Sequence, residues 1–368
     1  MESLSAVHSL EVKGSTDGKV VQRSSVKRYF LLALLVSTWI PFVFFILLAP
    51  SNSGAGNFSA IKSVFLFLGT AHVPATLYLY RDPEFSGIIK NHRFRYIYAP
   101  ILLAIVTGLL FVFLSRPSQA FILLMYWAWQ AFHYGRQNIG LYAFASIAQT
   151  GKSPHKMEKL AINLGTILGI LGTFKILGVE VAPSYLHGVF GSLYKIGFIA
   201  FAGVFVFSLI VYLKLYRDTT LFKTLFFFTS VFFFYPIFIS TDVNIAFLSY
   251  AIAHGLQYII FMTVISANEQ RAGQTWAIPY RNIIWLLIFV LVVGFIFFRG
   301  GELREIQVIR DHAMFGRLAE FLFGAILGAT MGHFVIDAGA WKLSKALQRG
   351  YITKRFNFIF DKESPVRS

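Results

Sequence analysis

The sequence predicts an all-α protein, a polytopic transmembrane helical bundle of about ten spans with both ends on the cytoplasmic side. Three observations predict it. Of 368 residues, 56% are apolar and only 14% charged, where soluble domains carry nearer a quarter charged. Apolar runs of about twenty residues, enough to cross a hydrocarbon core as helix, recur along the chain. Basic residues, 33 against 17 acidic ones, gather in alternate connecting segments.

Residues 1–25 hold Ser, Gly and Lys without apolar periodicity and are expected to form a mobile cytoplasmic tail. The first span, 29–49, is too long for a signal-peptide core, and no small-residue cleavage site stands out. Further spans are expected at 59–80, 96–114, 118–142, 160–177, 193–216, 221–240, 244–267, 282–298 and 312–339. The membrane domain thus covers 26–340, and 341–368 is a basic cytoplasmic tail. A short interfacial helix is expected at 183–191. In this arrangement about three-quarters of the Lys and Arg fall on one side, the bias that marks the cytoplasmic face. The net charge of +16 is then explained by topology and by anionic lipid, with no nucleic-acid partner. The absence of cysteine excludes disulfides, thiolate zinc sites, iron–sulfur clusters and a cysteine nucleophile.

Ionisable groups inside spans are costly and default to functional candidates. Of nine histidines, His8, His92 and His155 fall in the tail or inner connections, and His187 and His312 near the outer surface. These five read as structural or solvated. His72, His133, His254 and His333 each lie within a span, one per helix, in the second, fourth, eighth and tenth. All four of those helices run from outside to inside. At 1.5 Å per residue, His72 and His333 sit about 13 Å above the inner boundary marked by Arg81 and Lys342. His133 lies nearer it, close to Arg136, and His254 higher. Convergence at one depth requires tilt or kinks that raise His133 and lower His254.

Imidazole is a strong ligand for iron, copper and zinc. Four neutral imidazoles on four helices suit Fe(II) with open positions for oxygen or substrate. The plain alternative is four unconnected core histidines, each bonded to a neighbouring helix. Candidates to orient the rings lie one turn away. They are Thr76 for His72, then Trp129, Gln130 and Gln137 for His133. Tyr250, Gln257 and Tyr258 serve His254, and Asp337 serves His333. Gly324, Gly328 and Gly332 form a stripe that lets another helix approach closely, about 100° around from His333. Gly165, Gly169 and Gly172 also read as packing. Pro74 and Pro236 are potential helix breaks.

At these four segments the chain resembles the Brp/Blh family of bacterial and archaeal membrane β-carotene dioxygenases, multi-span helical proteins with non-haem iron held by histidines. The family's first motif is proline, His, Gly, two residues, Asp. Here the stretch is Ala71-His72-Val73-Pro74-Ala75-Thr76, with Thr76 in the Asp position. The second, His-Phe-Gly, two residues, Asp, corresponds to His133-Tyr134-Gly135-Arg136-Gln137-Asn138. The third has two histidines four apart, where this chain has His254-Gly255-Leu256-Gln257-Tyr258. The fourth, a late His in the last helix, resembles Gly332-His333-Phe334-Val335-Ile336-Asp337 leading to Lys342. The resemblance covers about a tenth of the chain and implies Fe(II) as cofactor, O2 and a lipophilic, carotenoid or other isoprenoid substrate, and a bacterial inner membrane. His72, His133, His254 and His333 would be the metal ligands. Gln137, Asn138, Tyr258 and Asp337 would be the catalytic residues that orient ligands or oxygen, with Tyr258 or His333 filling the place of the second paired histidine.

Three functions compete. The first is a membrane Fe(II) oxygenase, an enzyme in which the metal carries the oxygen chemistry and the protein supplies orientation and a dry pocket. The second is a bis-histidine haem electron-transfer protein. The third is a transporter with a protonatable histidine path. No phosphate-gripping Gly-rich loop, His-Glu-x-x-His helix or His-x-x-His-His desaturase box is present.

Overall fold

The structure, a computed structural model, describes residues 25–43, 67, 69–180, 184–239, 243–267 and 281–360. Residues 1–24 and 361–368, and with them His8 and most of the expected N-terminal tail, lie outside the described residues. The architecture is all-helical, with no strand among the described residues. Seven helices are long and apolar enough to cross a membrane, and the chain is built as an integral membrane protein. They are α1 (Ser25–Val43), α4 (Ala99–Phe113, within the span Phe94–Phe113), α6 (Lys156–Glu180) and α7 (His187–Leu215). The other three are α10 (Val243–Ala267), α11 (Arg281–Glu302) and α13 (Ala313–Ala340).

The other expected spans take different forms. Residues 118–142 belong to α5 (Arg116–Thr150), one unbroken helix of 35 residues. It buries Gln119, Gln130, His133 and Asn138 and is too polar to register as a plain apolar span. Residues 221–240 split into α8 (Leu221–Phe232) and α9 (Pro236–Ile239), with the break just before Pro236, whose ring cannot continue the helix. Of 59–80, only the second part is described. Residues 69–75 form α2, and the helix tightens into a 3-10 turn at Thr76–Tyr80, directly after Pro74. The short helix expected at 183–191 is not separate. A turn at Ser184–Leu186 runs straight into α7, whose Gly188 and Gly191 do not interrupt it.

α4, α7 and α11 expose long apolar faces, among them Ile101, Leu102, Ile199, Val206, Leu291 and Phe295. In lipid such faces are solvated rather than anomalous. Glycines set the helix spacing. A Cβ added at Gly332 would meet Pro100 at 2.9 Å, and one at Gly328 would press into the Leu103 carbonyl, so the stripe on α13 seats backbone against the backbone of α4. Gly165, Gly169 and Gly172 do the same for α6 against Val231, Phe234 and Ile237. Both sets are the packing surfaces that their spacing suggested.

Two buried ion pairs pin the connections. Asp82 caps α3 (Pro83–Asn91) by accepting from the Glu84 amide at 3.0 Å. Both its carboxylate oxygens accept from Arg355 Nη2 at 2.8 Å, and Tyr351 donates to Oδ2 at 2.8 Å. Asp82 and Arg355 are 0% and 1% exposed, so α14 (Ala346–Arg355) is locked onto α3. Burial and the adjoining carboxylate push the Tyr351 phenol up. The C-terminal basic segment is therefore folded through Phe360, ending in α15 (Asn357–Phe360). The second pair joins Lys223 Nζ to Glu158 at 3.0 Å, with Tyr142 donating to the same oxygen at 2.5 Å and the His155 amide to the other at 2.6 Å.

Three stability outcomes are expected. Gly328→Val forces a branched side chain into fixed backbone and lowers detergent-solution stability by about 1–3 kcal/mol or more. Gly350→Ala, exposed in a helix with open space at its Cβ, raises stability by about 0.5–1 kcal/mol. Thermal unfolding followed by circular dichroism checks both signs. Arg355→Met leaves Asp82 buried without its cation and costs about 3–5 kcal/mol by the same assay.

Candidate metal centre

The residues that build the centre arrive on α2, α5, α10 and α13. Small residues bring these helices together. A Cβ at Gly69 would touch Ala251 at 3.0 Å, which seats α2 on α10 beside His254. A Cβ at Gly294 of α11 would meet Ala71 at 2.9 Å, which presses α2 inward beside His72. Gly135 of α5 leaves room for Thr166 of α6 two residues from His133.

The four span histidines converge. Ring centroids lie 4.6 Å apart for His72 and His254, 5.0 Å for His72 and His333, and 4.8 Å for His133 and His254. His133 and His333 are 5.3 Å apart, and His254 and His333 6.0 Å. The rings meet edge-on, at interplanar angles of 66–84°. Asp337, four residues after His333 on the same face of α13, joins them. Its Oδ2 is 3.5 Å from His333 Nε2 and 3.8 Å from His133 Nε2. One ligand atom from each of His72, His254 and His333 falls within 4.8 Å of the others, and so it does for His133, His333 and Asp337.

α5 does not end near Arg136 but continues to Thr150, so His133 lies well inside its helix, and Arg136 reaches Asn163 of α6 at 3.5 Å. The remaining described histidines, His92, His155, His187 and His312, are exposed and stand apart from the cluster. His312 caps α13 by accepting from the Phe315 amide at 3.4 Å.

The orienting groups differ from those that one-turn spacing suggests. Thr76 bonds across helices to His333 Nδ1 instead of to its own neighbour His72. Tyr258 bonds to Thr76 Oγ1 at 2.9 Å and so acts on His333 through it. Gln137 donates to the His254 carbonyl at 3.3 Å and to Gln257 Oε1 at 2.8 Å, and Gln257 donates to Thr38 of α1 at 2.9 Å. Gln130 bonds to Tyr134. Tyr250 turns away, to the Phe234 carbonyl at 3.1 Å. Asn138 is buried with an amide that lacks a hydrogen-bond partner, so no hydrogen bond ties it to the rings. Trp129 packs on Phe334.

Three contributors were not among the expected residues. Tyr134 stacks on His254 with centroids 4.4 Å apart, and Phe334 stacks on His133 at the same distance. Each is the residue after a site histidine, and each covers the imidazole of another helix. That adjacency was the available signal. Thr38 carried none, because a lone threonine in an apolar span is commonplace.

The centre is polar and unsatisfied. Both ring nitrogens of His72 and of His254, Nε2 of His133 and of His333, and both carboxylate oxygens of Asp337 are buried without a hydrogen-bond partner. At about 1–3 kcal/mol for each buried orphan, these atoms together rival the whole net stability of about 5–15 kcal/mol of a typical domain. A cation that takes an electron pair from each ring relieves about half of that cost, and the residues present suit one. No protein-family model matches the chain, and no curated protein or solved structure matches it.

Metal addition therefore has an expected signature. Protein purified in detergent with chelator, then titrated anaerobically with Co(II) or Fe(II), unfolds at a higher temperature. The gain is about 2.7 kcal/mol when free metal reaches a hundred times the dissociation constant. An unchanged midpoint across both metals counts against a metal centre.

Proposed function

We propose that the protein is a membrane Fe(II) oxygenase acting on a lipophilic, carotenoid or other isoprenoid substrate. The observation that carries this reading is the convergence of four imidazoles from four helices, each with at least one ring nitrogen buried and without a hydrogen-bond partner. Neutral imidazoles with a carboxylate suit Fe(II) better than soft Cu(I). When bound, iron supplies the dioxygen chemistry that side chains cannot perform.

This chain's own residues do the rest. His72, His133, His254 and His333 hold the ion. Thr76 fixes the His333 ring by its far nitrogen, and Tyr258 fixes Thr76. Gln137, through Gln257 and Thr38, ties the His254 turn to α5 and α1. Tyr134 and Phe334 lie over two imidazoles and keep water from them. All four histidines are at most 7% exposed, so a substrate approaches through helix surfaces that face lipid. The similarity of the four histidine segments to membrane β-carotene dioxygenases supports the same substrate class.

The topology proposed with this function has ten passes and both ends inside. α5, the α8–α9 pair and the segment that ends in α2 complete the seven apolar helices. The distribution of Lys and Arg supports that orientation. A bacterial inner membrane follows from the family resemblance. A bis-histidine haem fits poorly, since it needs a wide porphyrin plane between two rings. Here the rings are 4.6–6.0 Å apart, with other imidazoles and aromatic rings filling the surrounding space.

The test is elemental analysis of anaerobically purified protein, paired with oxygen-dependent consumption of β-carotene in detergent. The expected result is about one iron per chain, lost in His133→Ala, with polyene absorbance decaying only when iron and O2 are both present. Iron absent from the wild type, or equally present in His133→Ala, overturns the iron centre. Iron without polyene decay overturns the β-carotene substrate.

A further inference from the structure

We infer that Asp337 is itself a ligand of the metal, making the set four imidazoles and one carboxylate. The inference rests on the metal-centre reading above and goes beyond it by moving Asp337 from a group that orients a ring to a group that binds the ion. Three observations carry it.

The first is which side of His333 the carboxylate occupies. The Nδ1 edge of that ring is taken by Thr76 Oγ1. Asp337 stands instead at the Nε2 edge, the one left free for a metal. A carboxylate that orients a ligating histidine bonds the nitrogen that does not bind the ion. Asp337 is on the wrong edge for that task.

The second is distance. Oδ2 is 3.5 Å and 3.8 Å from Nε2 of His333 and His133, outside the range of a hydrogen bond, about 2.7–3.2 Å. Two ligands at about 2.0–2.2 Å from one ion stand about 3–3.5 Å from each other. The separations seen are those of neighbouring ligands, slightly expanded. Both nitrogens face the same oxygen, as they would if all three atoms pointed at a common centre.

The third is that no cation of the protein is paired with Asp337. The carboxylate is 5% exposed, and its polar neighbours outside the imidazoles are neutral, the Tyr258 phenol and the Trp341 indole. No lysine or arginine forms an ion pair with it among the described residues. The basic residues at the end of α13 that might serve, Lys342 and Lys345, do not reach it. An isolated buried carboxylate is costly unless it is paired or coordinates a metal. The alternative that Asp337 is an interface carboxylate paired with the basic tail is therefore not what the geometry supports.

A carboxylate changes what the site selects. Four imidazoles alone leave a divalent ion with its full double charge inside lipid. One carboxylate halves that charge and adds a hard oxygen donor, which favours Fe(II), Mn(II) or Co(II) over Cu(I).

The experiment uses Co(II) as probe on the full-length protein in detergent, read by the visible d–d spectrum and by competition with a chromophoric chelator. Wild type, Asp337→Asn, Asp337→Glu and His133→Ala are compared, with size-exclusion profile and α-helical circular dichroism as checks of folding. The expected result is Co(II) binding by the wild type and a loss in Asp337→Asn of ~100-fold or more, above the tenfold to hundredfold typical of groups that only orient a ligand. The d–d band of the residual complex moves, and Asp337→Glu, which keeps a carboxylate, recovers part of the affinity. Affinity and spectrum unchanged in Asp337→Asn, while His133→Ala loses the metal, overturn the carboxylate ligand and leave the histidine centre standing. No Co(II) binding by the folded wild type overturns both. Asp337→Asn that fails to fold is decided by Asp337→Glu, whose spectrum must differ from wild type if the carboxylate touches the ion and must match it if the carboxylate does not.

Discussion

Lipid offers no hydrogen bonds, and that constraint governs the centre of this protein. A bundle of apolar helices can place one imidazole in such a medium with a neighbouring carbonyl for partner. Four rings and a carboxylate facing one another with electron pairs unspent are costly there, and the cation we propose among them would offset that cost. The rest of the architecture serves this meeting. Glycine and alanine contacts at Gly69, Ala251, Ala71 and Gly294 bring α2 against α10 and α11. The stripe Gly324–Gly328–Gly332 holds α13 against α4 by a face turned away from the imidazole. The site faces are thus positioned from behind, by backbone contact, which is stiffer than contact between long side chains.

The polar ring around the centre is organised by helix pairs rather than within helices. Thr76 serves the histidine of α13, Tyr134 covers that of α10, and Phe334 covers that of α5. With Tyr258 of α10, which reaches the α13 histidine through Thr76, each of the four segments carries one imidazole and a group that bears on another helix's imidazole. Removing a single helix face disturbs more than its own ligand, so the centre is a joint property of the four segments. The buried pairs Asp82–Arg355 and Glu158–Lys223 act farther out, fixing the turn after α2 and the start of α6. Such pairs specify geometry more than they add net stability, because desolvation offsets much of their attraction.

Much of this was legible in the sequence, and the reasons are specific. The four histidines announced themselves because ionisable residues are rare in apolar runs, and the glycine stripe did so by its period of four. The all-helical membrane class followed from run length. The span count was less legible. α5 interrupts its apolar character with buried amides and a histidine, so it is not among the seven helices apolar enough to cross a membrane. The end of α5 was not legible at Arg136 either, since the helix continues past it to Thr150. The partners of the rings were the least legible. Spacing of three or four residues finds neighbours on one helix, whereas Thr76, Tyr258 and Gln137 all work across helices. Asn138 stands where the motif has Asp and hydrogen-bonds to none of the rings.

α13 presents glycines to α4 on one side and His333 with Asp337 to the centre on the other, all within one continuous helix. Each residue turns the chain by about 100°. Inserting or deleting one residue between Gly324 and Asp337 would twist one set out of place whenever the other stayed seated. This stretch can therefore drift by exchange of side chains but not in length, and among descendants of this gene its residue count should be the most rigidly inherited number in the protein.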